Sequence, residues 1–318
     1  MADDATLPLP GFGSMVVDQT HHRVFISGGP SANGVVVADF DGSIVKTLNG
    51  QYGATGLVLS EDGKVLYAGL ADGDAISAID TGTLTELRRY PTGPQSCPAH
   101  LARAGAIVWF GYGCGSTWNG RIGRLDPTST EPVALDKAKV AFQTAPLLAA
   151  SGGATSPLVA GQLSLSLTDV HVFTVAGADL VAGPAGEVFG SNLVDLALSP
   201  DATTVHSAAG SQSGVEAFST ADLARRGTYA TGAHPNSVRP SPDGRYIAVG
   251  AYTSRNKAVW VFEAGGTTPV ASLGLGGYLL ADRGLAWSPD RKWLFAVVQG
   301  AADTRPRLLS MSRPVQVS

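Results

Sequence analysis

The chain has 318 residues, with 40 glycines, 19 prolines, 15% charged residues and a formal net charge of −4. A weakly acidic balance without a basic stripe argues against nucleic acid, whose phosphates demand clustered Lys and Arg. No apolar run is long enough to span a bilayer as a helix, and no helical periodicity runs beyond a turn or so, which leaves an all-β reading and no membrane insertion.

In chain order, Thr6–Leu9 reads as a short apolar strand with no unit of its own, and a turn signal then begins to recur. It is weak in DQTH, ending at His22, and strong in SEDG at Ser60–Gly63, SPDA at Ser199–Ala202, SPDG at Ser241–Gly244 and SPDR at Ser288–Arg291, with a further turn at Gly105. The strong copies, and the one at His22, lead into β-rich apolar runs such as VFIS, VLYAG, YIAVG and WLFAVV. Aligned on the last turn residue, the gaps are 41, 42, 97, 42 and 47 residues, and the gap of 97 holds two units with one eroded copy between them. Seven units of about 45 residues with several strands each predict a β-propeller.

The second unit parses as an inner strand at Leu57–Ser60, a second at Lys64–Gly69, a third at Ala75–Ile79 and an outer strand at Leu84–Tyr90. The EDG turn fits because Asp accepts bonds from amides two residues on and Gly takes the left-handed conformation freely. In the eroded fourth unit, Pro146–Ala150, Pro157–Gly161 and Val170–Val175 are the candidate strands, and in the seventh little remains for an outer strand after Arg307–Met311. Thr6–Leu9 is therefore expected to pair with blade seven and close the ring, since an open ring would leave two exposed edges. The whole chain then forms one domain, with blades at about 13–53, 54–96, 97–137, 138–191, 192–235, 236–280 and 281–318 plus 6–9. Pro240 fits an innermost strand, whose channel edge needs no N–H.

Cys97 and Cys114 lie equidistant from the turn at Gly105, so an antiparallel hairpin sets them opposite one another, within reach of a bridge. Two free buried thiols are the alternative. A bridge implies an oxidising compartment, and Ala2-Asp3-Asp4-Ala5 reads as the start of an exported mature chain. An extracellular location is the expectation.

The stretches TGAHPNSVRPSPDGRYIAVG (Thr231–Gly250) and LSEDGKVLYAGLADGDAISAIDTGTLTELRRYPTG (Leu59–Gly93) resemble the YVTN or YncE-like seven-bladed propellers. The shared residues are turn and packing residues, so the resemblance implies the fold rather than an activity. The Gly, Ala and Thr bias is similar to secreted actinobacterial members, and the chain resembles a propeller subunit of umbrella toxin particles, which implies a small adaptor protein as partner.

Candidate chemistry is sparse. His21, His22, His100, His171, His206 and His234 show no HxH or HExxH spacing, and no GxSxG elbow is present. A lactonase-like calcium site would draw on Asn192, Asp195, Asn236 and Asp282, but Arg239 and Arg283 lie at comparable depth, and calcium prefers converging oxygens with little positive charge nearby. No metal and no cofactor are expected.

What remains is a binding surface on the loops joining second to third strands and outer to next inner strands. These carry Tyr52, Tyr112, Trp118, Phe189, Tyr252 and Tyr278, with Asn119, Asn192 and Arg255 as polar neighbours. Aromatic and Arg side chains dominate interfaces because they bury large areas and keep a polar handle. The favoured expectation is a propeller, monomeric on its own, that captures a protein or peptide at this channel-mouth face or in a groove between blades. The alternatives are a carbohydrate-binding module that stacks glycans on Trp118 and the tyrosines, and a lactonase-like hydrolase.

Overall fold

The computed structural model describes residues 3–163, 165–254, 257–300 and 305–315. It is a seven-bladed β-propeller of seven four-stranded antiparallel sheets. Within each sheet, consecutive strands pair from the channel outward, and the seventh takes its outermost strand from the N-terminus.

Blade 1 comprises Met15–Asp18, Arg23–Ser27, Gly34–Asp39 and Ile44–Asn49, and blade 2 comprises Ala54–Leu59, Val65–Leu70, Ala75–Asp80 and Glu86–Pro91. Blade 3 is His100–Ala104, Ile107–Tyr112, Arg121–Leu125 and the short Val133–Ala134. The eroded blade 4 is Leu147–Ala149, Leu158–Gly161, Val170–Ala176 and Asp179–Gly186. Blade 5 is Leu193–Leu198, Thr204–Ala209, Gly214–Ser219 and Arg225–Ala230, and blade 6 is Pro235–Pro240, Tyr246–Ala251, Val259–Glu263 and Pro269–Leu273. Blade 7 is Leu279–Trp287, Trp293–Gln299, Pro306–Ser312 and the closing Asp3–Thr6.

The recurring turn has one geometry. In blade 2 the Ser60 hydroxyl donates to Asp62 (2.7 Å), the Val65 amide donates back to Ser60 Oγ (2.9 Å), and the Gly63 amide closes on the Ser60 carbonyl (3.0 Å). Blades 6 and 7 repeat the Ser–Asp bond at 2.7 and 2.6 Å. The last turn residue is left-handed in all six aligned copies, at His22, Gly63, Gly105, Ala202, Gly244 and Arg291, with φ from 52° to 71°. Outside glycine this conformation is uncommon; the serine–aspartate bond accompanies it at Ala202 and Arg291, and before His22 the Asp18 carboxylate accepts from the Thr20 and His21 amides instead.

Between the blades lie seven apolar clusters, one per interface. Large buried side chains such as Phe25, Trp109, Phe173, Phe262 and Phe295 come from the second and third strands, whose two faces both pack against sheet neighbours.

Closure by the N-terminus holds, but three residues earlier than Thr6–Leu9. Asp3–Thr6 pairs antiparallel with Arg307–Ser310, and the Leu7 amide adds one bond to the Pro306 carbonyl (2.9 Å). Leu7 and Leu9 instead bury their side chains in the cluster between blades 7 and 1. An outermost strand is solvated and so reads as polar; the apolar residues that follow it form a core plug.

Candidate functional site

The propeller has two dissimilar faces. The turn face carries the Ser–Asp turns. The loop face carries the second-to-third-strand loops and the connections between blades. Among the described residues, large apolar side chains left exposed fall on outer strands, such as Ile44, Leu87 and Val270, or on the loop face, at Tyr52, Trp118, Leu135, Leu167, Val188 and Tyr252. None sits in a first-to-second-strand turn.

Trp118 is built to stand out. Cys97 and Cys114 form the disulfide, with Cα atoms 5.2 Å apart. The turn before Cys97 is gripped by Asp74, whose carboxylate accepts from the amides of Gln95 (2.8 Å), Ser96 (2.9 Å) and Cys97 (3.0 Å). Burial opposes ionisation of Asp74, but these amide bonds prevail and hold its carboxyl below the usual range. Beyond Cys114, Asn119 Nδ2 donates to the Cys114 carbonyl (3.1 Å) and the Trp118 backbone amide donates to the Gln143 carbonyl (3.1 Å). Trp118 is left-handed at φ 60° and 58% exposed, so an indole is presented to solvent on a pinned backbone.

The same hydrogen-bonded seam continues into blades 4 and 5. The Gln143 amide donates to Gln162 Oε1 (2.6 Å), the Leu167 amide to Ser191 Oγ (3.0 Å), and the Asn192 amide to the Leu165 carbonyl (2.8 Å). Trp118, Asn119 and Asn192 thus share one arc of the loop face with Leu167 and Val188, which sequence reasoning missed. Leu167 lies in SLSLTD, where alternation reads as strand, and Val188 sits in an irregular connection; neither carries a local signal of exposure.

Tyr52, Tyr252 and Tyr278 do not join that arc. Tyr52 is exposed on the connection between blades 1 and 2. Tyr252 is exposed in a blade 6 loop, its amide bonded to the His234 carbonyl (2.9 Å). Tyr278 is half-buried, with the Arg307 guanidinium 5.5 Å from its ring centre. Arg255 lies outside the described residues. Two expectations are corrected. Phe189 is fully buried, its ring 5.0 Å from Phe218, because it anchors the connection into the core between blades 4 and 5. Tyr112 is buried beside Phe110, and its hydroxyl accepts from the Asp136 amide (3.1 Å), a structural role.

The axial channel narrows toward the loop face, where a cavity of about 200 Å³ is lined by His100, Asp195, Arg239 and Arg283. Asp195 is buried and pairs with Arg239 Nη1 (2.5 Å), and it also accepts from the Val238 amide (2.9 Å). Burial raises its carboxyl pKa, against the pull of Arg239, the Val238 amide and Arg283. Arg283 spans to the Val194 carbonyl (3.2 Å). Asn236 turns its amide nitrogen toward the Leu280 carbonyl (2.9 Å) and Asp282 (3.3 Å), so its donor and not its oxygen faces the acid. Two guanidiniums among so few oxygens make a poor calcium cage. Asp74, Cys97 and Cys114 cluster as well, but the sulfurs are bonded to each other and the carboxylate is occupied by amides. Toward the turn face the channel opens into a wider funnel of about 620 Å³, whose lining mixes apolar residues with Asp18, Glu61, Asp62 and Arg103.

No family model matches the chain, and no curated protein matches it by sequence. Solved structures do match its shape. The β-propeller domain of Cps50 (Swd1) from Myceliophteria thermophila is 13% identical with a TM-score of 0.71, covering 98% of this chain and 100% of that one. A chain of the Kuenenia stuttgartiensis hydrazine synthase is 17% identical, with a TM-score of 0.69 over 98% of each chain. A chain of the mitotic checkpoint complex is 16% identical, with a TM-score of 0.72 over 95% of this chain and 90% of that one. At such identities the likeness is one of fold, which hosts many functions.

Proposed function

We propose that this propeller is a non-enzymatic scaffold that captures a partner protein on its loop face, at the arc over blades 3 to 5. The observation that carries the reading is Trp118, 58% exposed on a loop pinned by a disulfide, with Leu167 and Val188 exposed on the same arc. A pre-ordered indole loses little conformational freedom on binding and supplies a large contact area. The channel is the usual alternative, and at its loop-face end Asp195 is already paired with Arg239, which favours the loop surface over the channel in this reading. Two of the structural neighbours, the mitotic checkpoint complex and the Swd1 propeller, are compatible with scaffolding, while the hydrazine synthase chain shows that the shape also occurs in an enzyme.

The finer setting belongs to the same proposal. A Cys97–Cys114 bridge suits an exported protein. The resemblance to YncE-like secreted propellers points to an extracellular assembly, with an adaptor subunit of an antibacterial toxin particle as the partner to try first. Capture from the native secretome by immobilised chain tests the reading: a stoichiometric partner should be retained, and Trp118→Ala should weaken it by about 2 kcal/mol, roughly 30-fold. Unchanged affinity in Trp118→Ala removes the arc from the site; recovery of glycans with no protein overturns the protein-capture reading.

A further inference from the structure

The narrow cavity of about 200 Å³ on the channel axis holds one positive charge more than its own acid neutralises. All seven blades contribute to its wall, from Met15 in blade 1 to Arg283 in blade 7. Asp195 is the one acid among the described residues of that wall, and both its oxygens are taken. Oδ1 accepts from the Leu196 amide (3.0 Å), and Oδ2 accepts from the Val238 amide (2.9 Å) and Arg239 Nη1 (2.5 Å). Asp195 therefore answers Arg239. Arg283 has no such partner: among the described residues, the one bond of its guanidinium runs from Nη1 to the Val194 carbonyl (3.2 Å). Asp282, its neighbour in sequence, is exposed and accepts from Asn236 Nδ2 (3.3 Å). Burial pulls the Arg283 pKa down, with Arg239 adding to it, against Asp195 and Asp282.

Arg283 is placed there by a local departure from the repeat. From the pair Leu280–Val298 to the pair Leu285–Ala296, the inner strand of blade 7 inserts four residues, 281–284. The same step holds two residues in blades 2, 5 and 6, at 55–56, 194–195 and 236–237. The enlarged bulge carries Arg283 in the left-handed conformation at φ 61°, which is uncommon outside glycine. Bulges re-aim side chains, and a strained backbone of this kind persists where a site requires it. Ser14 and His100 line the same cavity, and neither side chain is hydrogen-bonded to another described residue. Burial, then Arg283, depress the His100 pKa to about 3, so its ring is neutral and offers one donor and one acceptor.

We propose that this axial cavity binds a small organic monocarboxylate, held by Arg283 with Ser14 and His100 beside it, its short apolar body against leucines such as Leu101 and Leu147. The planar guanidinium fork matches a carboxylate, and one unanswered cation calls for one negative charge. A dianion such as phosphate would bring a second charge into the interior without a partner. The volume equals that of roughly seven waters, the size of an acid of a few carbons. The cavity shares Val16, Leu148, Leu196 and Arg239 with the funnel, which gives the ligand its path from the turn face. Asp18, Glu61 and Asp62 along that funnel further disfavour multiply charged anions. The site is separate from the loop-face arc and does not depend on the capture reading.

The test titrates the full chain at pH 7, in a buffer free of carboxylates, with sodium butanoate, butanamide and sodium phosphate. Met15 lines the cavity and is one of three methionines in the chain, so its methyl signal reports on the site by NMR, with Met311, in the core between blades 6 and 7, as an internal control. Butanoate should bind saturably, shift Met15 and not Met311, and raise Tm, while butanamide and phosphate should bind at least tenfold more weakly. Arg283→Gln should weaken butanoate at least tenfold and abolish the rise in Tm, and Arg283→Lys should recover part of the affinity. No saturable butanoate binding, equal binding of butanamide, preference for phosphate, shifts that bypass Met15, or undiminished binding in folded Arg283→Gln would each overturn the site. If Arg283→Gln does not fold, the butanamide comparison and the Met15 shift still decide. Failure here alongside Trp118-dependent capture would remove the axial site and leave the loop-face reading standing.

Discussion

His206 makes the stability of blade 5 depend on pH in a calculable way. Its ring is buried beside Tyr229, 5.8 Å between centres, and Nδ1 has no hydrogen-bond partner. Burial drives its pKa down to about 4, only partly opposed by a bond to the Ala197 backbone and by Asp201. In the unfolded chain the imidazole titrates near 6.5. The unfolded state therefore takes up the proton first on acidification, and stability is full above about pH 6.5, falls between there and about 4, and is flat below. The loss from this group by pH 5 is about 2 kcal/mol, approaching roughly 3 kcal/mol at pH 4. His206→Phe removes the titration and fits the site, since Tyr67 occupies the corresponding second-strand position opposite Ala78 as His206 does opposite Ala217. Urea unfolding at pH 7.5, 6 and 5 should show the parent losing about 2 kcal/mol more than the variant over that range. His100, also depressed by burial and by Arg283, is common to both proteins and cancels in the difference. Parallel pH curves for the two proteins would refute the reasoning.

Two further outcomes follow from ring closure and the bridge. Leu7 is fully buried while its neighbour Pro8 is exposed. Leu7→Ala should cost about 3 kcal/mol by thermal or urea unfolding and Pro8→Ala under about 0.5 kcal/mol; equal effects would show that the N-terminal plug adds nothing. The Cys97–Cys114 bridge spans a sequence separation of 17. Its removal in Cys97→Ser/Cys114→Ser should lower stability by about 3 kcal/mol under oxidising conditions and abolish the effect of added reductant on the urea midpoint, and a midpoint insensitive to reductant in the parent would argue against the bridge.

Much of the fold was legible because propeller punctuation is local chemistry. Ser–Asp–Gly turns specify a left-handed residue at a fixed place, and six of the seven copies could be aligned on it. The bridge was legible for the same reason: hairpin register pairs His100 with Gly111, which sets position 97 opposite 114. Closure was only half legible, because Leu7 and Leu9 advertise burial while the strand itself, Asp3–Thr6, lies at the solvated rim. The loop face was harder still. Trp118 stood out by type and by its place after Cys114, yet nothing near Phe189 distinguishes an aromatic that anchors a connection from one that offers itself. Exposure there is decided by the angle at which a connection enters the core, a tertiary property. Leu167 and Val188 were missed for the converse reason, since apolar residues in an irregular blade read as packing.

The outer seam between blades 5 and 6 shows what a repeat protein reveals once its register is known. Lys46, Arg88 and Gly227 have no sequence signal in common, and only strand pairing makes them the same position. At that position the fold tolerates a long cation, because two blades carry one and bind it with groups of the adjoining outer strand or turn. A glycine there weakens the strand in isolation, since it loses more backbone freedom on folding than other residues and contributes no packing. Neither φ nor steric room calls for it at residue 227. Blade 6 has Ala271 opposite Val261 at the same position, so blades 1 and 2 fill this outer seam with a cation while blades 5 and 6 leave it to a small residue, and in blade 5 Tyr229 is buried instead against His206 and Phe262.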